Sequence, residues 1–249
     1  MFQSKRVAIA AFLVLVLAFA AGGALADEHS GPGSLQDARA YWLDERTIAW
    51  DAPAGSRVTL HSSDTAGLVI GRDGVDGGQS FALEANGRVE GTLAGRFPHL
   101  EGLPAWRLDN AAAGRAAELL KSQLAVSAAV DGVYRDATAL QTAGVLDALF
   151  AYEGQLGVTF EGDLPRFRLW APTARSVTLL LFDDAAPQSA PSRSLPMAFD
   201  AASGTWTLDG DPAWTGAYYL YEVEVFVRRT GRFERNRVTD PYSLGLAMD

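Results

Sequence analysis

Residues 165–184, PRFRLWAPTARSVTLLLFDD, decide the fold. Phe167 and Leu169 alternate with Arg166, Arg168 and Trp170. Beyond the corner at 171–175, Val177, Leu179 and Leu181 again fall on one side. A side-chain period of two is that of a strand with one face toward a core. Pro172 has no ladder donor and suits the corner between two strands. The stretch therefore predicts two β-strands joined at a Trp-Ala-Pro-Thr corner.

The same pattern continues toward the C-terminus. Short runs at 158–161, 195–199, 204–208, 217–228 and 232–238 are separated by turn residues, and 186–192 reads as a loop. Six or seven short strands in this space predict an immunoglobulin-like β-sandwich over 158–243. Toward the N-terminus, strand-like runs occupy 40–43, 47–50, 57–62, 67–71 and 79–85. Asn86-Gly87 reads as a hairpin turn. Residues 111–123 predict one short helix. Residues 124–130 predict a strand, and 141–152 a strand end followed by a second helix striped by Val145, Leu146, Leu149 and Phe150. The expected fold class is mainly β: two sandwich-like domains in tandem, 38–157 and 158–243, the first with short helices.

Bulk composition agrees with a globular chain of one or two domains: 249 residues, 48% hydrophobic and 20% charged. A formal charge of -9 argues against a nucleic-acid partner, which needs Lys and Arg against phosphate. The chain has no cysteine, which excludes disulfides and thiolate chemistry, and its three histidines show no metal-ligand spacing. No metal and no cofactor is expected. Lys5 and Arg6 precede an apolar run over 7–21, then small residues at Ala24 and Ala26. This is the pattern of a secretory signal cleaved after Ala26, and the run is short for a membrane span of about 20 residues. The expectation is a secreted or periplasmic protein, without a membrane anchor after cleavage, beginning with a flexible leader at 27–37.

Candidate chemistry is sparse. Residues 73–78 lack the ligand spacing of a calcium loop and read as a Gly-rich turn. Glu222 and Glu224 lie at i and i+2, about 7 Å apart on one side of a strand, which overlaps the spacing of an inverting glycosidase pair. A flat strand face supplies no cleft to raise an acid's pKa, so a solvated or interface face is the expectation. Arg228, Arg229, Arg232, Arg235 and Arg237 crowd the next turn and strand, where pairing with Glu222, Glu224 and Glu234 is expected ahead of an anion site. Trp206 and Trp214 lie beside turns. They are the candidate sugar-stacking residues, core packing being the alternative for each.

The motifs carry a resemblance. Residues 167–174 (FRLWAPTA), 176–182 (SVTLLLF), 204–206 (GTW), 214–224 (WTGAYYLYEVE) and 238–243 (VTDPYS) are similar to the family 48 carbohydrate-binding module found before the barrel of glycoside hydrolase family 13 enzymes. Residues 42–50, 97–108 (FPHLEGLPAWRL), 119–124 (LLKSQL) and 141–147 (QTAGVLD) resemble the N-terminal domain of bacterial pullulanases. The resemblance implies the N-terminal accessory region of a secreted starch-debranching enzyme whose parent hydrolyses α-1,6 linkages in pullulan, amylopectin and limit dextrins. It implies packing roles for Trp170, Pro172, Gly216, Tyr219, Tyr221, Asp240, Pro241 and Tyr242. The implied partners are α-glucan and a catalytic barrel to which 244–249 would lead. No catalytic residue carries over. The competing expectations are a stand-alone α-glucan-binding module and a structural β-sandwich of the envelope.

Overall fold

The computed structural model describes residues 32–186 and 189–243. The expected signal sequence and 244–249 lie outside the described residues. The first domain comprises β1 (Ser34–Trp42), β2 (Thr47–Ala49), β3 (Arg57–Ser63), β4 (Val69–Ile70), β5 (Val75–Asp76) and β6 (Gln79–Arg88). There follow α1 (Gly91–Arg96), β7 (Pro104–Arg107), α2 (Asn110–Ala113), α3 (Ala116–Leu119), β8 (Gln123–Val130), β9 (Val133–Gln141) and α4 (Ala143–Phe150). Seven strands pair in the ring order β1-β2-β7-β6-β3-β8-β9. The ring closes through a parallel pairing of β1 with β9, as at Tyr41 and Gln141. Closure removes the free sheet edges that would otherwise invite association. Alternate side chains point inward: Trp42, Ile48, Val58, Leu60 and Val126 are buried, joined by Leu119, Val145 and Phe150 from the helices.

Three local expectations are corrected. The leader ends sooner, because residues 34–37 already belong to β1, with Ser34 opposite Thr138. Asn86-Gly87 is not a hairpin turn; β6 runs through it, with a register shift between Ala85 and Arg88 against β7. Gly87 takes φ +69°, which serves an irregularity within a strand as well as a turn. The single helix over 111–123 is two one-turn pieces. Asp109 caps the first through Ala112 N at 2.7 Å, and Arg115 then leaves helical geometry. The Arg115 guanidinium pairs with Glu118 and also reaches Gln79.

The second domain contains β10 (Gly157–Glu161), β11 (Leu164–Trp170), β12 (Ser176–Phe182), β13 (Arg193–Pro196), β14 (Ala198–Asp200), β15 (Thr205–Asp209), β16 (Tyr218–Val227) and β17 (Arg232–Val238). They form two four-stranded antiparallel sheets, ordered β10-β11-β15-β14 and β13-β12-β16-β17. Phe167 and Trp206 from one sheet meet Val177, Leu179, Leu181, Tyr221 and Val223 from the other. The alternation read in 165–184 is the inner face of this sandwich, and its Trp-Ala-Pro-Thr corner carries the chain from one sheet to the other.

Candidate functional site

The predicted residues separate into two places. Trp170, Pro172 and Trp206 belong to the joint between the domains. Trp214, Gly216, Tyr219, Tyr221, Asp240, Pro241 and Tyr242 lie at or beside a cleft at one end of the sandwich.

At the joint, Trp170 packs against the first domain's core and donates its Nε1 to the carbonyl of Phe150, the last residue of α4, at 2.9 Å. Pro172 is buried beneath Gly204. Gly204 has φ +68°, and a Cβ there would lie 2.7 Å from Pro172 and 2.9 Å from the Phe150 ring, so only glycine lets the corner seat on the helix end. Trp206 is 6% exposed, lies in the sandwich core and donates Nε1 to Ala171 O at 3.0 Å. The structure thus corrects its candidacy as a sugar platform: its position opposite Leu169 on the paired strand turns it inward.

The cleft has a volume of about 780 Å³, within the ~300–1,000 Å³ range of ligand sites. Phe160, Phe167, Trp214, Tyr218 and Tyr219 supply aromatic surface, and Asp184, Arg237 and Thr239 supply polar groups. Two of the aromatics are open to solvent: Phe160 is 51% exposed and Tyr218 is 46% exposed. Others are fixed by packing. Tyr219 meets Phe167 edge-on at 5.1 Å, and Trp214 lies 6.4 Å from Phe167. Trp214 is half-buried on a short helical turn capped by Asp211, and its Nε1 has no partner among the described residues. Gly216 supplies the φ +86° that returns the chain from this turn toward β16.

Asp240 organises the cleft's inner wall. It is buried, and its Oδ2 accepts the hydroxyl of Tyr219 at 2.8 Å and that of Tyr221 at 3.3 Å. Its Oδ1 accepts Tyr242 N at 2.8 Å. Burial first, and then the Asp240 carboxylate, raise both phenol pKa values well above ordinary tyrosine. The triad ties the exit segment to the sandwich, leaving Pro241 and Tyr242 exposed.

Glu222 and Glu224 each pair with an arginine of the neighbouring strand. Glu224 Oε2 pairs with Arg235 Nε at 3.2 Å, and Glu222 Oε2 with Arg237 Nε at 3.5 Å across β16 and β17. Arg235 and Arg237 thus pair across the two strands, and Arg237 also lines the cleft. Among the described residues no group of His, Asp and Glu is arranged to hold a metal. Aromatic faces can cover apolar C–H surface, and rim donors and acceptors can meet hydroxyls.

Two tandem β domains with an aromatic cleft in the second define an accessory region of the carbohydrate-module class. Comparison with known proteins makes the assignment specific. Residues 37–148 match the family model for the Pullulanase N2 domain. Residues 155–243 match that for Carbohydrate-binding module 48 (Isoamylase N-terminal domain). The chain is 35% identical over 215 residues to the chloroplastic Pullulanase 1 of Arabidopsis thaliana, covering 85% of this chain and 22% of that protein. It is 35% identical over 228 residues to a pullulanase of Klebsiella pneumoniae, covering 84% and 19%. The crystal structure of the maltotriose complex of PulA from Klebsiella pneumoniae superposes with a TM-score of 0.76 at 31% identity, covering 84% of this chain and 22% of that one. PulA from Klebsiella oxytoca gives 0.76 at 30%, covering 85% and 20%. The chain belongs to the pullulanase family as its N-terminal region, an N2 domain followed by module 48. It spans about a fifth of the length of the curated relatives it matches.

Sequence reasoning missed Phe160, Tyr218 and Arg237 as cleft residues. Phe160 was legible as an apolar side chain in a short strand, but only the approach of β10 to β16 gives it a neighbour across a cleft. It also missed Lys121, which the fold carries onto the second domain.

Proposed function

We propose that this chain engages α-glucan for a pullulanase-type enzyme whose catalytic barrel hydrolyses α-1,6 linkages. The observation that carries the reading is the aromatic cleft of about 780 Å³ in the domain that matches a carbohydrate-binding module. The exposed faces of Phe160 and Tyr218 stack on glucose rings, while Arg237 and Asp184 meet hydroxyls at the rim. The chain's exit, tied down by Asp240, lies at the same end, so bound glucan is held beside the polypeptide that leads to the barrel. The reading includes export by the N-terminal signal, giving a mature protein that begins at Asp27.

Affinity electrophoresis in gels containing amylopectin or pullulan tests the site. The expected result is retardation of the chain, reduced in Phe160→Ala and Tyr218→Ala, whose side chains are exposed enough to be removed without opening the core. Unchanged mobility of the wild-type chain refutes glucan engagement. Release of reducing sugar from pullulan by the purified chain would overturn the accessory role, and N-terminal sequencing of the exported protein checks the cleavage point.

A further inference from the structure

We infer that the two domains open and close as one cooperative unit, coupled by cationic side chains that each domain inserts into the other. Beside the apolar contacts of Trp170 and Pro172, the joint exchanges charged side chains in both directions. Lys121, between α3 and β8 of the first domain, places its ammonium 3.4 Å from the centroid of Phe199 and 5.6 Å from that of Trp206 in the second. Desolvation there lowers its pKa, as expected for an ammonium drawn partly out of water. In the opposite direction, Arg175 of the second domain donates Nε to the carbonyl of Lys121 itself at 3.3 Å and a terminal nitrogen to that of Asp64. The Arg175 guanidinium lies 3.5 Å from the Phe233 ring centroid of its own domain. One residue, Lys121, therefore gives its side chain to the second domain and receives that domain's arginine on its backbone.

Two further contacts extend the joint. Trp170 is bonded to Phe150 O, and Arg168 donates to the hydroxyl of Tyr152 while lying over its ring. The rings that receive Lys121 are not peripheral. Trp206 belongs to the sandwich core, and Phe199 packs against that core 5.0 Å from it. On the other side, Trp170 packs against the barrel core that contains Phe150. Opening either domain strips a charged or hydrogen-bonded partner from the other's core residues. Losing these partly buried contacts together costs both domains, which couples their opening.

Native-state hydrogen exchange on the full chain, at increasing sub-denaturing urea, tests this. Amides of β8 and β9 report the barrel, and those of β12 and β16 the sandwich. The wild-type chain should show both sets merging into one opening reaction with the same urea dependence. In the double variant Lys121→Met, Arg175→Gln the sandwich set should exchange about tenfold faster or more, while the barrel set keeps its wild-type rate. Methionine retains contact with the rings, so this variant removes charge with little loss of packing. Trp170→Phe keeps the ring but removes the bond to Phe150 and should split the two sets in the same direction. Separate opening reactions in the wild type would overturn the inference. So would two sets that stay merged in both variants, because the named contacts would then not carry the coupling.

Discussion

Acid should weaken this protein through one histidine. His61, on β3 of the barrel, is 6% exposed. Its Nε2 lies 2.8 Å from Ser127 Oγ on β8 and its Nδ1 lies 3.0 Å from Ser80 Oγ on β6. Burial pulls its pKa from the usual 6.5 down to about 4, against a smaller opposing pull from the Asp76 carboxylate. A base whose folded pKa is depressed is neutral in the native state while the unfolded chain is taking up its proton. The stability it contributes is present above about pH 6.5 and is lost progressively as pH falls toward 4. Those two pKa values correspond to about 3 kcal/mol when the whole window is crossed, of which about 2 kcal/mol falls between about pH 7 and about pH 5. Urea unfolding followed by far-UV circular dichroism at several pH values in that range measures the loss. His61→Gln supplies the control: glutamine can still donate to one serine and accept from the other, but it cannot titrate. The wild type should lose about 2 kcal/mol more than the variant on acidification, seen in melting as an extra fall of ~4–8 °C. Parallel pH profiles for the two proteins would show that His61 is solvated or paired in its charged form, and the reasoning from burial would be wrong.

Two other positions give sharp outcomes. Gly157, at the start of β10, has φ +84°, and a Cβ there would lie 2.6 Å from Tyr242 Cβ, so Gly157→Ala should cost about 1–3 kcal/mol and loosen the exit segment, measured as a lower melting temperature with faster exchange at Tyr242 N. Asp240→Asn removes the charged acceptor shared by Tyr219 and Tyr221; it should cost about 1–3 kcal/mol in urea unfolding and bring both phenol pKa values down, read by ultraviolet titration, whereas unchanged tyrosine titration would mean that burial alone sets them.

What the sequence made legible follows the range of the physics involved. Period-two alternation is local, so the inner face of 165–184 and the strands around Tyr219 and Tyr221 could be read from neighbouring residues. Closure of the barrel could not, because it depends on Tyr41 meeting Gln141 in parallel, and neither strand's pattern names its partner. The two tryptophans divided for the same reason. Both Trp206 and Trp214 sit near turns, but register against Leu169 sends one inward, while the other remains half-buried at the cleft. The joint was the least visible feature, since nothing in the sequence around Lys121 and Arg175 names the rings and carbonyls of the other domain that the fold brings to them. Yet its centre was the most recognisable motif in the chain. Trp170 in the Trp-Ala-Pro-Thr corner is held by the end of α4, and Pro172 lies under the one glycine that allows the approach. Sandwich alternation alone would be satisfied by many apolar residues. What makes this corner specific is that a tryptophan can fill the gap against the first domain and still present an N–H to Phe150, so the residues that mark the second domain record its attachment to the first.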